Sequence, residues 1–167
     1  MWKKTARKEF SKTIEANLDY LVRFAYYRTR NRAEAEDIVF EAVLRFLEKG
    51  ASDLKPVSVR LYLFRIVYNL CQDRCRGTHM AAVPLDSVDV PDDADDETLD
   101  AAETDRINAC LDCLPAREAD IIRMSVVDDL SFVEIGEILS IPQSTAKSRY
   151  KAGMDKLRKR FFNNKTS

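Results

Sequence analysis

The stretch Leu130–Tyr150, LSFVEIGEILSIPQSTAKSRY, decides how this chain is read. Ser131 and Glu134 have the S-x-x-E spacing of a capping box, which satisfies backbone N–H groups at a helix start. Val133, Ile135, Ile138 and Leu139 follow at helical spacing and predict an apolar face. Ser140 to Pro142 then break the helix, because proline has no N–H to donate and biases Ile141 toward extended backbone. A second helix is expected from about Gln143 to Phe161. Gln143, Ser144, Lys147, Ser148 and Lys151 on its first turns are candidate base or phosphate contacts. Thr145 shares those turns, and Arg149 is expected to position the DNA backbone. Lys156, Arg158, Lys159 and Arg160 follow behind. Amides and hydroxyls first, cations later, suit a helix laid in a major groove. On this segment alone, the alternative is a helical hairpin with a solvated basic tail.

Outward from that stretch, the 167 residues suffice for one domain or two small ones. A composition 46% hydrophobic and 33% charged, with only 4 Gly and 5 Pro, favours a helical globular protein. No apolar run approaches the roughly 18 residues of a membrane span, so no membrane insertion is expected. The N-terminal MWKKTARKEF has basic residues but no apolar segment behind them, so a cytoplasmic location is expected.

Net charge is −1, which taken alone argues against nucleic acid. Its distribution reverses that argument. Between Gly77 and Asp105 lie ten Asp and Glu and no Lys or Arg, so the rest of the chain carries +9. Such asymmetry describes two basic modules joined by an acidic linker. From His79 to Asp100 the chain is acidic, broken by Pro84 and Pro91, and without sustained periodicity, as an extended linker would be.

Three helices are expected before the linker, at about Glu9–Thr29, Ala33–Lys49 and Val57–Cys75. Four are expected after it, at about Ala102–Cys113, Ala116–Val127, Phe132–Leu139 and Gln143–Phe161. The fold class is therefore all-α, two small helical domains with the helix-turn-helix in the second. The boundaries read as 1–77, a linker over 78–101, and 102–167. The sequence has no Gly-rich phosphate loop and no HExxH. Its single His leaves few His-based catalytic arrangements, and no catalytic residue, cofactor or metal is assigned.

On the second helix, Ile38, Val39, Ala42, Val43 and Phe46 cluster as core, and Glu34, Asp37, Glu41, Arg45 and Glu48 form the wet side. Phe40 and Leu44 lie between them, at i and i+4 beside the acidic stripe. An apolar pair flanked by carboxylates suits docking onto a basic helical partner; half-burial within the domain is the alternative. On the third helix, Arg65, Asn69, Gln72 and Arg76 form a narrow polar stripe edged by Tyr62 and Tyr68. Leu63, Ile66, Val67 and Leu70 face the other way. Cations contact phosphate, aromatic faces stack unpaired bases, and amides read base edges, which favours single-stranded nucleic acid over duplex. A solvated face with incidental tyrosines is the alternative.

Four cysteines, Cys71, Cys75, Cys110 and Cys113, with His79 near the first pair, could supply zinc. Both pairs fall inside helical patterns, where buried Cys behaves as a small apolar residue, and that is the stronger reading.

Taken together, these segments resemble the bacterial sigma-70 family, in particular its short extracytoplasmic-function (ECF) group. A family helix usually reading like DAEDLVQETFLRAW is EAEDIVFEAVLRFL here, from Glu34 to Leu47. A signature like WLYRIARNLALDHLRR is YLFRIVYNLCQDRCRG, from Tyr62 to Gly77. A second-domain pattern like LPPREREVLLLRYVEGLSYEEIAEILGIPxGTVKSRLHRARKRLR is LPAREADIIRMSVVDDLSFVEIGEILSIPQSTAKSRYKAGMDKLRKR, from Leu114 to Arg160. The family's usual Gln is Phe40, its Trp is Tyr62, its turn Gly is Ser140, and the Val of TVKSR is Ala146. Gly153 interrupts the last helix at an expected cost of about 1 kcal/mol.

The resemblance implies a promoter-specificity subunit with no chemistry of its own. Its partners would be promoter DNA and the RNA polymerase core, at the clamp and flap, with an anti-sigma factor as a further partner. The first domain would dock on the clamp through Asp37, Phe40, Glu41 and Leu44. It would open the −10 element on Tyr62, Arg65, Tyr68, Asn69, Gln72 and Arg76. The second would bind the −35 duplex, and the linker would thread into the polymerase near nascent RNA. Two rival readings remain: a helix-turn-helix regulator acting without polymerase, and a cysteine-based zinc or redox sensor.

Overall fold

The computed structural model describes residues 2–49, 56–80 and 101–165, with side chains described over 8–49, 59–74 and 101–162. All regular structure in them is helical, with no strand among the described residues. The chain divides into two compact units, one within residues 1–96 and one within 97–167. Most of the expected linker, residues 81–100, lies outside the described residues. Its edges are helical: Thr78–Met80 continue the third helix and Ala101 opens the fourth.

In the first unit, α1 (Trp2–Thr29), α2 (Arg32–Glu48) and α3 (Pro56–Met80) pack pairwise against one another. α1 starts before the expected Glu9, since WKKTARKE holds no Gly or Pro to stop it. Burial deepens along α1. Phe10, Ile14, Leu18 and Val22 are only half-buried, whereas Leu21, Phe24 and Ala25 are fully enclosed. Phe24 meets Phe64 of α3 edge-to-face at 5.1 Å between ring centroids, a favoured aromatic geometry. Ile38, Val39, Ala42 and Phe46 bury as expected, while Val43 is half-buried. On α3, Leu63, Val67 and Leu70 are core and Ile66 is half-buried. The α1–α2 corner turns on Arg30, at φ 57°, and on Asn31, whose side chain accepts from the Glu34 N–H at 3.1 Å. Such a cap contributes about 1 kcal/mol.

The second unit holds α4 (Ala101–Leu111), α5 (Ala116–Ile122), α6 (Phe132–Leu139) and α7 (Gln143–Lys165). The helix expected to run unbroken to Val127 changes pitch: Arg123–Val127 is a π turn, closed by the Asp128 N–H donating to the Arg123 carbonyl at 3.2 Å. Beside it lies a buried polar knot. The Arg123 guanidinium donates twice to Asn108 Oδ1, at 3.2 and 2.9 Å, and once to Asp120 Oδ1 at 3.2 Å. Asn108 is fully buried, so a partner for its carbonyl is a requirement of folding. Leu111, Leu114, Ala119 and Ile122 form a core against which Ile107, Tyr150, Met154 and Leu157 pack.

Candidate nucleic-acid interface

The capping box at α6 is complete: Ser131 N–H donates to Glu134 Oε2 at 2.9 Å, and Glu134 N–H to Ser131 Oγ at 3.2 Å. Ile135 and Ile138 bury and Leu139 is half-buried. Val133 departs from the expected apolar face. It is 53% exposed, because it shares the outer side with Glu137, one helical turn on. The turn to α7 rests on two positions. Ser140 adopts the left-handed conformation (φ 57°, ψ 46°), a region where a side chain costs about 1 kcal/mol and glycine almost nothing. Gly136 lets the chain fold back: a Cβ there would lie 2.8 Å from the Ile141 carbonyl oxygen, a backbone atom that cannot yield.

α7 is thereby seated on one side and bare on the other. Ala146 and Gly153 are buried and Tyr150 half-buried, its ring edge-to-face with Phe132 at 5.3 Å. Gly153 is a close-approach position as well as a helix weakness, since an added Cβ would meet Ile122 Cδ1 at 2.6 Å and Glu118 Cβ at 3.2 Å. On the bare side, Gln143, Ser144, Lys147, Ser148 and Lys151 are all exposed. Thr145 and Arg149 lie on its flank, half-buried. Ser148 Oγ donates to the Ser144 carbonyl at 2.9 Å, which leaves its oxygen lone pairs facing outward. Lys156 is paired within the unit: its ammonium reaches both Glu118 carboxylate oxygens, at 2.8 and 3.0 Å.

In the first unit, α3 exposes Arg65 and Asn69, with Gln72, Tyr62 and Tyr68 half-buried. The Arg76 side chain lies outside the described residues. Both tyrosines lean on the core. The Tyr62 ring is 5.9 Å from that of Phe46, and the Arg28 guanidinium is 5.9 Å from the Tyr68 ring centroid. Arg28 itself stacks 3.6 Å over Phe24 and donates to the Phe24 carbonyl at 2.8 Å. A cation held beside a half-buried aromatic ring is an arrangement that suits a ligand with both a flat base and a phosphate. The sequence reading missed Arg28, since it belongs to another helix.

The α2 surface is more apolar than expected. Phe40 is 67% exposed, Leu44 44% and Leu47 58%. The sequence did not assign Leu47 to this patch, although it continues Phe40 and Leu44 at i+7. Asp37 sits one turn before Phe40 and is exposed. Glu41 is engaged within the chain, with Arg45 at 2.8 Å and Arg74 of α3 at 3.2 Å, so it ties α2 to α3 beside the patch.

The cysteine expectation needs correcting. Cys71 is buried in α3 as expected, but Cys110 and Cys113 are both exposed, on the side of the α4 terminus away from Leu111 and Leu114. The side chains of Cys75 and His79 lie outside the described residues. Among the described residues, no three His, Cys, Asp or Glu side chains are grouped as a metal site. No helix among them is long and apolar enough to cross a membrane.

Comparison with known proteins matches both units. Residues 13–79 match the family model Sigma-70 region 2, and residues 110–159 match Sigma-70, region 4. The ECF RNA polymerase sigma factor SigW of Bacillus subtilis is 29% identical over 175 residues, covering 94% of this chain and 91% of the relative. SigE of Mycolicibacterium smegmatis, likewise an ECF RNA polymerase sigma factor, is 30% identical over 159 residues, covering 92% of this chain and 62% of the relative. A third, SigK of Mycolicibacterium vanbaalenii, is 31% identical over 138 residues, covering 78% and 70%. The α3 face falls inside the first match and the capped turn with its bare basic helix inside the second, and the chain belongs to the sigma-70 family, in its ECF group.

Proposed function

We infer that this chain directs core RNA polymerase to specific promoters and opens the −10 element for initiation, acting in the cytoplasm as an ECF-type sigma factor. It does so by binding energy alone, without a catalytic step. In this reading, residues 1–77 dock on the polymerase clamp through Asp37, Phe40 and Leu44, with Leu47 extending the patch. The α3 face captures the unpaired −10 strand: Asn69 and Gln72 read base edges, Tyr62 and Tyr68 stack, and Arg65 and Arg76 hold phosphate. Residues 102–167 bind the −35 duplex through Gln143, Ser144, Thr145, Lys147, Ser148, Arg149 and Lys151 and contact the polymerase flap. The acidic residues 78–101 enter the polymerase as a mimic of nucleic acid. An anti-sigma factor is the regulator expected for such a protein.

The observation that carries this reading is the pairing of region 2 and region 4 matches, in that order, on two separate helical units. Run-off transcription tests it, with purified core polymerase, this protein, and a library of promoter fragments. Discrete transcripts that depend on both the protein and the core are expected. Tight, sequence-specific duplex binding by the protein alone, with no transcript from any fragment, would favour a regulator that does not dock on polymerase.

A further inference from the structure

Of the three cysteines whose side chains are described, one is sealed and two are open. Cys71 is 1% exposed in the α3 core, where a thiol is shielded from reagents. Cys110 and Cys113 sit where α4 ends. Cys110 is on the last helical turn, while Cys113 has already left the helix, in a tight turn closed by the Leu114 N–H donating to the Leu111 carbonyl at 2.9 Å. Leu111 and Leu114 point inward and pack in the second unit's core. Their neighbours in sequence therefore point outward, and both thiols are exposed. The Cys113 thiol folds back over the helix end and donates to the carbonyl of Cys110 itself, at 2.9 Å.

We propose that Cys110 and Cys113 form a reversible intramolecular disulfide, a redox modification site that takes low-molecular-weight disulfides as its oxidant. Two features of the site support the pairing. The first is access together with proximity: an exposed thiol beside a second thiol that can resolve it is the arrangement of redox-responsive cysteines. The second is freedom to close. Side chains at i and i+3 on a rigid helix stand about 5–6 Å apart at Cβ, and a disulfide needs about 3.5–4.5 Å. Cys113 lies beyond the last helical residue, so the turn can tighten without unwinding α4.

The chemistry balances without further reagents. One thiolate attacks a sulfur of the small disulfide, forms a mixed disulfide and expels one small thiolate. The second cysteine thiolate then attacks the protein sulfur of that mixed disulfide and expels the other. The chain's dithiol loses two electrons and two protons, and the small disulfide is reduced to two thiols. A reducing dithiol reverses both steps, so in a reducing cytoplasm the resting form is the dithiol. The ring spans only Leu111 and Asp112, so the second step is a local reaction and outruns attack of the second cysteine on another small disulfide.

Trypsin supplies a clean readout. Cleavage after Arg106 and Arg117 releases residues 107–117, INACLDCLPAR, which carries Cys110 and Cys113 and no other cysteine. The full-length protein is incubated with oxidised glutathione, blocked with iodoacetamide, digested and weighed. The expected wild-type product is this peptide lighter by two hydrogens and unalkylated, returned to the doubly alkylated form by prior dithiothreitol. In Cys113→Ser, Cys110 should instead accumulate a stable glutathionyl group, because nothing remains to displace it. A wild-type peptide that stays doubly alkylated, that is found only as a mixed disulfide, or that crosslinks to another chain would overturn the proposal. So would a Cys113→Ser protein that takes up no glutathione. None of these readouts requires DNA or polymerase.

Discussion

On α3 the two rings of the proposed strand-capture face rest against side chains beneath them; on α7 most of the proposed duplex face, from Gln143 to Lys151, stands clear of the rest of the unit. Tyr62 leans on Phe46, and Tyr68 lies beside an arginine stacked on Phe24. Gln143, Ser144, Lys147 and Lys151 stand clear in solvent. The contrast fits the two tasks. Capturing an unstacked base requires rings fixed before the base arrives, since ordering them during capture would consume binding energy. A duplex brings its own rigid groove, so the protein needs only a firmly seated helix, and the accuracy of α7 is invested on its hidden side.

That contrast can be broken at its hidden side first. Gly153→Val should cost the second unit about 3 kcal/mol, because the new side chain meets Ile122 and Glu118 within contact distance. Chemical unfolding followed by circular dichroism should show an early transition for that unit and an unmoved one for the first. Coincident, unshifted transitions would mean that α7 is not seated this closely.

Strand capture comes next in size. Tyr68→Ala should remove about 1–3 kcal/mol of stacking, roughly a tenfold or greater loss of open complex. Permanganate reactivity of thymines near the start site measures it on duplex and premelted templates. Equal reactivity in mutant and wild type on the duplex would remove this face of α3 from promoter opening.

For the apolar patch, Phe40→Ser should change stability by no more than about 0.5 kcal/mol, as an exposed position allows. Affinity for core polymerase should nevertheless fall several-fold, read by fluorescence anisotropy. If the variant instead unfolds at room temperature, Phe40 is structural.

On the bare face of α7, combined Lys147→Ala and Lys151→Ala should flatten the salt dependence of upstream-duplex binding by about two units of log–log slope, one phosphate for each lysine. An unchanged slope would take both out of the interface. The smallest effect is a gain: Ser140→Gly should stabilise the second unit by about 1 kcal/mol by relieving the left-handed backbone. A neutral or destabilising result would show that the serine side chain compensates its own strain.

Sequence reasoning succeeded where local chemistry dictates structure. The Ser131–Glu134 box, the break at Ser140–Pro142 and the start of α7 at Gln143 are each set by residues within one turn of each other. It failed where a partner from elsewhere decides. The position of Val133 depends on which side of α6 meets α7, and a helical spacing of apolar residues alone does not fix that rotation. Gly153 reads as a helix weakness until Ile122 is brought against it. Cys110 and Cys113 fit a helical pattern, yet the helix stops at Leu111 and leaves both sulfurs outside. The Arg123–Asn108 knot joins residues 15 apart, with no motif to announce it. On α3, the exposure of Arg65 and Asn69 was legible because one helix carries both; Arg28 was not, because it arrives from α1.

The π turn at Arg123–Val127 bears on how this chain tolerates changes of length. A π turn is an α-helix that holds one residue more than its pitch accommodates. Val126, which faces solvent, is the natural surplus. Its removal would let the backbone relax to ordinary α pitch with Ile121, Ile122 and Leu130 still available to the core. The segment thus acts as an expansion joint, through which relatives could gain or lose one amino acid without disturbing the helix-turn-helix that follows.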